Sequence, residues 1–297
     1  MAPRIHKATL HKQSLRGLEA VSFVSNHHFP RHAHDQFGIG LVTHGAQRSW
    51  SGIGSVRAGP GDCIMANPGE IHDGIPLEGK PRAWNMIYLD PVLVTEEWGE
   101  DWVGAVELVC PVARDPLLKR HFTDLFRCLT LAPTDDLAAE ERLLRSLVCL
   151  LGRHSTALPR CSGPAPCVQK ALERMASAPE QNVSLAELAV LSGVSRFQLL
   201  RGFLRAVGST PHAYLVQMRV RLARRLLAEG QTPAEAAALA GFADQSHMTR
   251  TFVRQLGVTP SQYRIAIMRA SLAACNFVQD IAKRLRDPQE QVGEEDA

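Results

Sequence analysis

The sequence contains two closely similar stretches, FLRAVGSTPHAY at residues 203–214 and FVRQLGVTPSQY at residues 252–263. Phe, Arg, Gly, Thr, Pro and Tyr recur at the same spacing in both. Each stretch is typical of a helix that ends in a glycine turn and is followed by a helix starting at Thr-Pro. Glycine tolerates a left-handed backbone, and proline favours the first helical position. The repetition predicts two copies of one helical unit.

The similarity extends toward the N-terminus of each stretch. ELAVLSGVS at residues 187–195 aligns with EAAALAGFA at residues 235–243 at an offset of 48, and one extra residue then raises the offset to 49. Each copy has a helix, a tight turn at Gly193 or Gly241, and a second helix. An alanine four residues before each glycine lets the two helices approach closely. This pattern predicts two helix-turn-helix units.

The second helix of each copy divides into an inner and an outer side at about 100° per residue. Arginine and glutamine on the outer side suit guanine and adenine edges in the major groove, and apolar side chains suit thymine methyl groups. Ordinary solvent-facing side chains remain the alternative. We expect DNA contacts from Arg196, Phe197, Leu200, Arg201 and Arg205 in the first copy and from Gln245, Ser246, Arg250 and Arg254 in the second.

A long helix is predicted between the two copies, from Pro211 to about Glu229. Its length of roughly 28 Å would hold two recognition helices about one DNA turn apart. We expect a buried stripe of Leu215, Met218, Leu222 and Leu226. Four arginines remain for phosphates or for solvent: Arg219, Arg221, Arg224 and Arg225.

The net charge of +3 is unevenly distributed along the chain. Residues 168–264 carry 12 Lys and Arg against 6 Asp and Glu, whereas residues 1–167 carry 17 against 18 and residues 265–297 carry 4 against 6. The excess positive charge lies on the segment that contains the repeat. It indicates a polyanionic partner, which we take to be double-stranded DNA.

The N-terminal part has a different pattern. Residues 18–90 read as short β-type runs separated by Gly and Pro, which favours a small barrel or jelly roll. Helical periodicity follows at residues 91–155. We therefore predict an effector-binding domain at 1–154, a linker at 155–167, a DNA-binding domain at 168–264 and a C-terminal extension at 265–297.

The segment RVRLARRLLAEGQTPAEAAALAGFADQSHMTRTFVRQLGVTPSQYR, residues 219–264, resembles the C-terminal signature of the AraC/XylS family of transcription regulators. The resemblance implies a multidomain α and β protein: a cupin-like β-barrel with flanking helices, then an all-α domain of seven helices with two helix-turn-helix units. It places base contacts at Phe197, Leu200 and Arg201 and at Gln245, Ser246 and Arg250. It also implies promoter or operator DNA and RNA polymerase as partners, activation of transcription, and no enzymatic activity.

Three histidines mark the candidate ligand site. His32 and His34 form an HxH motif, and His72 lies in PGEIHDG. This arrangement of histidines resembles that of the cupin barrel. Metal cupins have a glutamate near the position of Gly38, where no carboxylate stands here. Three interpretations stay open: a bound metal, an effector pocket, and structural histidines. The effector residues we expect are His32, His34, Trp50, Asn67, Glu70, His72 and Trp84, and the effector expected from the resemblance is an amino acid or related metabolite.

The helices at 115–155 admit two interpretations. The resemblance implies that they pack beside the barrel and carry a homodimer interface. Alternatively, their leucine stripe is buried within one chain. The stripe consists of Leu137, Leu144, Leu147 and Leu151.

The leading hypothesis is a cytoplasmic, effector-controlled DNA-binding regulator without a cofactor. No signal peptide and no membrane span are predicted, since the apolar runs are too short. The seven cysteines are scattered, without a CxxC pair, which favours reduced thiols. The alternatives are a metal-dependent cupin enzyme fused to a DNA-binding module and a redox sensor that uses Cys161 and Cys167 beside the linker.

Overall fold

The computed structural model describes residues 5–11, 15–98, 102–103, 106–130, 135–159 and 168–268. These residues form two compact units. The first contains the described residues up to Arg174 together with Val183–Tyr214, and the second contains Met175–Asn182 and the described residues from Leu215. The predicted division into a sheet-rich N-terminal part and a helical C-terminal part is confirmed.

The N-terminal part is built from short antiparallel strands. They are β1 (His6–His11), β2 (Leu18–Ser25), β3 (Phe29–His32), β4 (Phe37–His44), β5 (Gln47–Ser51), β6 (Gly54–Ala58), β7 (Cys63–Ala66), β8 (His72–Pro76), β9 (Arg82–Leu89), β10 (Trp102–Val103), β11 (Val112–Ala113) and β12 (Leu158–Pro159). One sheet has the order β1-β2-β9-β4-β7-β11, a second has the order β3-β8-β5-β6, and β10 pairs with β12. Short strands separated by Gly and Pro thus form sheets, as the sequence predicts.

Strand β9 shows how the larger sheet serves two purposes. Successive side chains of a strand point to opposite faces. Arg82, Trp84, Met86 and Tyr88 line a pocket. The alternate positions, such as Ile87 and Leu89, belong to the apolar core shared with the helices that follow. The sheet therefore separates this pocket from the helical layer.

The helical layer comprises α1 (Pro91–Trp98), α2 (Pro116–Thr130) and α3 (Asp136–His154). Asp135 caps α3 by accepting a hydrogen bond from the Ala138 N–H at 3.0 Å. The predicted leucine stripe on α3 is buried within the chain, with exposures of 2–3%. This settles the two interpretations of the stripe: Leu137, Leu144, Leu147 and Leu151 are buried in one chain and cannot serve as an exposed dimer surface.

The C-terminal helices are α4 (Gln169–Ser177), α5 (Leu185–Ser192), α6 (Arg196–Ala206), α7 (Pro211–Ala228), α8 (Pro233–Leu239) and α9 (Gln245–Leu256), and residues 260–268 are also helical. Capping boxes start α5 at Ser184, α6 at Ser195 and α8 at Thr232. The long helix predicted from Pro211 is present as α7. Two helix-turn-helix units follow from these elements, the first formed by α5 and α6 and the second by α8 and α9.

One expectation for α7 is wrong. Arg219 was expected among the arginines left for phosphate or solvent, but it is 3% exposed. Its guanidinium donates to the Pro179 carbonyl oxygen at 2.9 Å and to Asn182 Oδ1 at 3.0 Å. Arg219 therefore ties α7 to the loop before α5, whereas Arg221, Arg224 and Arg225 are exposed.

Two further predictions depend on how much of the chain is described. Cys161 and Cys167, the residues of the redox-sensor alternative, lie outside the described residues, as does most of the predicted linker. Cys63, Cys110, Cys128 and Cys149 are free thiols. Across the described ranges, none of the helices has the length and apolar character that a bilayer crossing requires.

Candidate functional site

The second helix-turn-helix unit presents its recognition helix to solvent. Gln245, Ser246, Arg250 and Arg254 on α9 are all exposed, whereas Met248 and Phe252 are fully buried. Asp244 caps the helix by accepting from the His247 N–H at 2.6 Å. The phases predicted from sequence are therefore observed for α9, and its outer side offers amide and guanidinium donors.

The turn of this second unit is tightly packed. Gly241 has φ +77°, and a Cβ added there would lie 2.8 Å from the Cα of Glu180. Only glycine fits, because the left-handed backbone and the neighbouring chain both exclude a side chain. The equivalent Gly193 has φ +67°, but nothing lies within 4 Å of an added Cβ.

The first recognition helix, α6, is less open. Arg196, Phe197 and Arg201 are half-buried, and Arg205 is exposed. The Arg201 guanidinium carbon lies 5.4 Å from the centre of the Phe197 ring, so these two expected base-reading residues contact each other.

The expectation that Leu200 is exposed is wrong. Leu200 is 4% exposed, beside Leu199 and Phe203, which are fully buried. Helix α3 lies against both α5 and α6 within the first compact unit, and the buried side of α6 includes Leu200.

Two adjacent carboxylates of α3 bind the starts of two helices in this region. The Leu185 N–H of α5 donates to Glu140 Oε2 at 2.6 Å, and the His212 N–H of α7 donates to Glu141 Oε2 at 3.1 Å. Helix starts carry unpaired N–H groups and partial positive charge, which carboxylates neutralise. Burial raises the pKa of Glu140, while the Leu185 N–H and the nearby Arg196 act in the opposite direction.

A pocket lies among the N-terminal strands and has a volume of about 770 Å³ including its open mouth. Its apolar walls are aromatic. Phe23 stacks on Trp84 with ring centres 4.9 Å apart, and Phe29 meets Trp84 edge-on at 5.9 Å. Such a concave, aromatic-lined space with a few polar groups is typical of small-molecule sites.

The structure brings the three predicted histidines together in this pocket. Ring centres are 4.5 Å apart for His32 and His72 and 5.0 Å apart for His34 and His72. Their Nδ1 atoms lie 2.7–2.9 Å from the carbonyl oxygens of Pro30, Gln36 and Glu70. A carbonyl oxygen only accepts, so each Nδ1 carries a proton, and Nε2 is the acceptor when the ring is in its neutral form.

Electrostatics favour the neutral form of His72. Burial lowers its pKa below the ordinary histidine value, and the neighbouring His32 and His34 act in the same direction. In the described part of the chain, no group of three His, Cys, Asp or Glu side chains is placed to hold a metal ion. A Cβ added at Gly38 would lie 3.1 Å from the His34 ring. The His34 ring therefore occupies the space beside Gly38.

Five of the seven predicted effector residues line the pocket: His32, His34, Trp50, His72 and Trp84. Asn67 and Glu70 do not. Asn67 Nδ2 donates to Glu70 Oε2 at 3.1 Å and to the Leu108 carbonyl oxygen at 3.0 Å. The Leu108 N–H donates back to Asn67 Oδ1 at 2.7 Å. These side chains therefore fix the turn between β7 and β8.

Arg82, which was not among the predicted effector residues, also lines the pocket. Arg82 is 1% exposed, and its guanidinium carbon lies 4.7 Å from the centre of the Trp84 ring. Burial lowers the pKa of Arg82 to about 10, so it stays charged at neutral pH. The signal was present in RAWNMIYL, because period-two alternation places residue 82 on the same face as the predicted Trp84.

Comparison with known proteins agrees with this architecture. A family model described as an AraC-like ligand binding domain matches residues 23–147, and one described as a helix-turn-helix domain matches residues 188–266. The chain is 32% identical over 226 residues to the uncharacterized HTH-type transcriptional regulator YbfI of Bacillus subtilis (strain 168), covering 74% of this chain and 81% of YbfI.

Other similarities cover shorter stretches. The HTH-type transcriptional regulator RipA of Corynebacterium glutamicum is 38% identical over 101 residues, 34% of this chain and 30% of RipA. The crystal structure of a transcriptional regulator with an AraC-type DNA-binding domain from Chromobacterium violaceum is 28% identical, with a TM-score of 0.33. That similarity covers 34% of this chain and 90% of the other.

Proposed function

The chain belongs to the AraC family of transcriptional regulators, and on this basis we propose that it binds promoter or operator DNA sequence-specifically and activates transcription in response to a small molecule. DNA binding is assigned to residues 168–264 and effector binding to residues 1–154. Activation requires RNA polymerase as a partner, and a second copy of the chain is a further expected partner.

The observation that carries the DNA-binding proposal is the exposed side of α9. Gln245, Ser246 and Arg250 lie there within two turns of the helix start, where a recognition helix contacts base edges. Arg250 suits a guanine and Gln245 an adenine. Arg254, further along the same side, suits a phosphate.

The effector is assigned to the pocket that contains the three histidines. Trp50 and Trp84 supply apolar walls, and His32, His34 and His72 supply polar groups. An amino acid or related metabolite matches this mixture of aromatic surface and hydrogen-bonding groups.

The pocket communicates with the first helix-turn-helix unit through β9 and α3. Strand β9 contributes Arg82 and Trp84 to the pocket and Ile87 and Leu89 to the core shared with α2 and α3. Helix α3 in turn binds the starts of α5 and α7 through Glu140 and Glu141. A ligand that shifts β9 would also shift α3 and so alter its hydrogen bonds to the first helix-turn-helix unit. The liganded and unliganded states would then differ in DNA affinity.

Selection of binding sites from a pool of random DNA duplexes tests this function. We expect a defined sequence to be enriched and bound about 1,000-fold more tightly than a scrambled duplex of the same length and composition, at one fixed salt concentration. Equal affinity for enriched and scrambled duplexes would contradict sequence-specific regulation. The enriched sequence then serves as the operator for the mutational tests below.

A further inference from the structure

The pocket contains a buried positive charge whose partners are all neutral. The Arg82 guanidinium donates to Gln47 Oε1 at 2.8 Å and to the carbonyl oxygens of His27 and Gly74, each at 3.1 Å. Among the described residues, no carboxylate hydrogen-bonds or forms an ion pair with it. Taking a charge out of water without a counter-charge is costly, so such a site favours an anion.

The Arg82 guanidinium has more N–H groups than its three neutral partners use. It has five N–H groups, and its three hydrogen bonds use one from each of its three nitrogens. One N–H therefore remains on each terminal nitrogen, the number required for bidentate binding of a carboxylate. The three existing hydrogen bonds, with the rings of Trp84 at 4.7 Å and Phe29 at 5.6 Å, hold the side chain in place before any ligand arrives.

A second polar group, His72, lies on β8, the strand that also contains the Arg82 partner Gly74. Gly74 is two residues from His72, which corresponds to roughly 7 Å. His72 and its neighbours His32 and His34 offer Nε2 acceptors, and the Asp73 carboxylate also lines the pocket. These groups accept hydrogen bonds, so they complement a donor on the ligand.

We propose that the pocket binds a small carboxylic acid that also carries a hydrogen-bond donor, as 2-amino and 2-hydroxy acids do. Arg82 binds the carboxylate, the imidazole Nε2 atoms bind the amino or hydroxyl group, and the rings of Phe23, Phe29 and Trp84 enclose the apolar part. This inference rests on the proposed effector function and narrows the chemical class of the effector.

Thermal unfolding of the full chain with matched acids and amides tests the proposal. The probes are acetate, L-lactate, 3-phenyllactate, L-alanine and L-phenylalanine, each compared with its primary amide at concentrations up to about 100 mM and at constant ionic strength. We expect acids to raise Tm more than amides, and titration calorimetry to give at least about tenfold tighter binding for the better acids. The hydroxy and amino acids should exceed acetate, because only they supply the donor.

Variants of Arg82 locate the charge that is responsible. Arg82→Gln should abolish the preference for acids over amides, and Arg82→Lys should keep part of it because the charge remains. Arg57→Gln, an exposed position on β6 outside the pocket, is the matched control and should behave as the wild-type chain. If Arg82→Gln does not fold, the comparison of acids with amides in the wild-type chain still decides the question.

Two results would overturn the inference, and they differ in what they imply. Equal binding of acids and amides would show that the Arg82 charge does not select a carboxylate, but the pocket would remain an effector site. No shift with any acid or amide would remove the pocket as a site for small molecules of this kind. Operator binding is measured separately, and neither of these two results bears on it.

Discussion

The two helix-turn-helix units share one sequence pattern but differ in what surrounds them. Positions 49 residues apart are equivalent, so Leu200 corresponds to Thr249 and Arg201 to Arg250. In the first unit Leu200 is buried and Arg201 is half-buried against Phe197. In the second unit Thr249 is half-buried and Arg250 is exposed. The same helical phase therefore gives a covered recognition helix in one copy and an open one in the other.

The repeated sequence therefore specifies the local structure of each copy, while the elements packed against that copy determine which of its side chains stay exposed. The first unit contacts α3, whose Glu140 and Glu141 accept hydrogen bonds from the starts of α5 and α7. We interpret the second unit as the reader of base sequence and the first as the unit that senses the N-terminal domain. Three measurements test this division of roles between the two helix-turn-helix units.

The greatest loss of stability is expected from substitution of a turn glycine. Gly241→Ala should destabilise the second unit by about 3 kcal/mol or more, because the new Cβ meets the Glu180 backbone and the backbone is left-handed. Gly193→Ala should cost only about 1 kcal/mol, because the added Cβ meets open space. Thermal unfolding and operator affinity of the two variants measure the difference. Equal melting temperatures would show that the packing of the two turns does not differ.

A smaller effect is expected from the α3 carboxylates. Replacing both Glu140 and Glu141 by Ala leaves two N–H groups at helix starts without their acceptors, which costs roughly 1 kcal/mol each because both hydrogen bonds are only part-buried. Amide hydrogen exchange should become at least about tenfold faster in α5 and α6 and remain unchanged in α8 and α9. Asp124→Ala, an exposed acidic position on α2, is the control. Equal loosening of both units would contradict the proposed link through α3.

The sequence predicted the features that depend on neighbours along the chain. The glycine turns at Gly193 and Gly241, the start of α7 at Pro211 and the burial of Phe203 and Phe252 all follow from periodicity and capping chemistry. Helix phase also placed the exposed side of α9 correctly. These properties are local, because they are determined by residues that lie close together in the sequence.

The features that sequence reasoning missed depend on contacts between distant segments. Leu200 is buried in a unit where α3 lies against α6, and no pattern near residue 200 records this. Asn67 bonds to Leu108, 41 residues away. Local alternation places Arg82 on the same face as Trp84, but it does not show that β3, β5 and β8 enclose that face as a pocket.

The most direct test of the comparison measures operator binding of Arg250→Ala and Arg201→Ala against a set of single-base-pair variants of the operator. Because Arg250 is exposed, it should contact a base. Arg250→Ala should therefore weaken the free energy of binding to the best operator by about 1–3 kcal/mol and abolish the sequence preference at one base pair. Arg201→Ala should weaken the free energy of operator binding by less than about 1 kcal/mol and retain the wild-type base preferences. If Arg201→Ala instead relaxes base preference as much as Arg250→Ala does, both helices read bases and the division of roles is wrong.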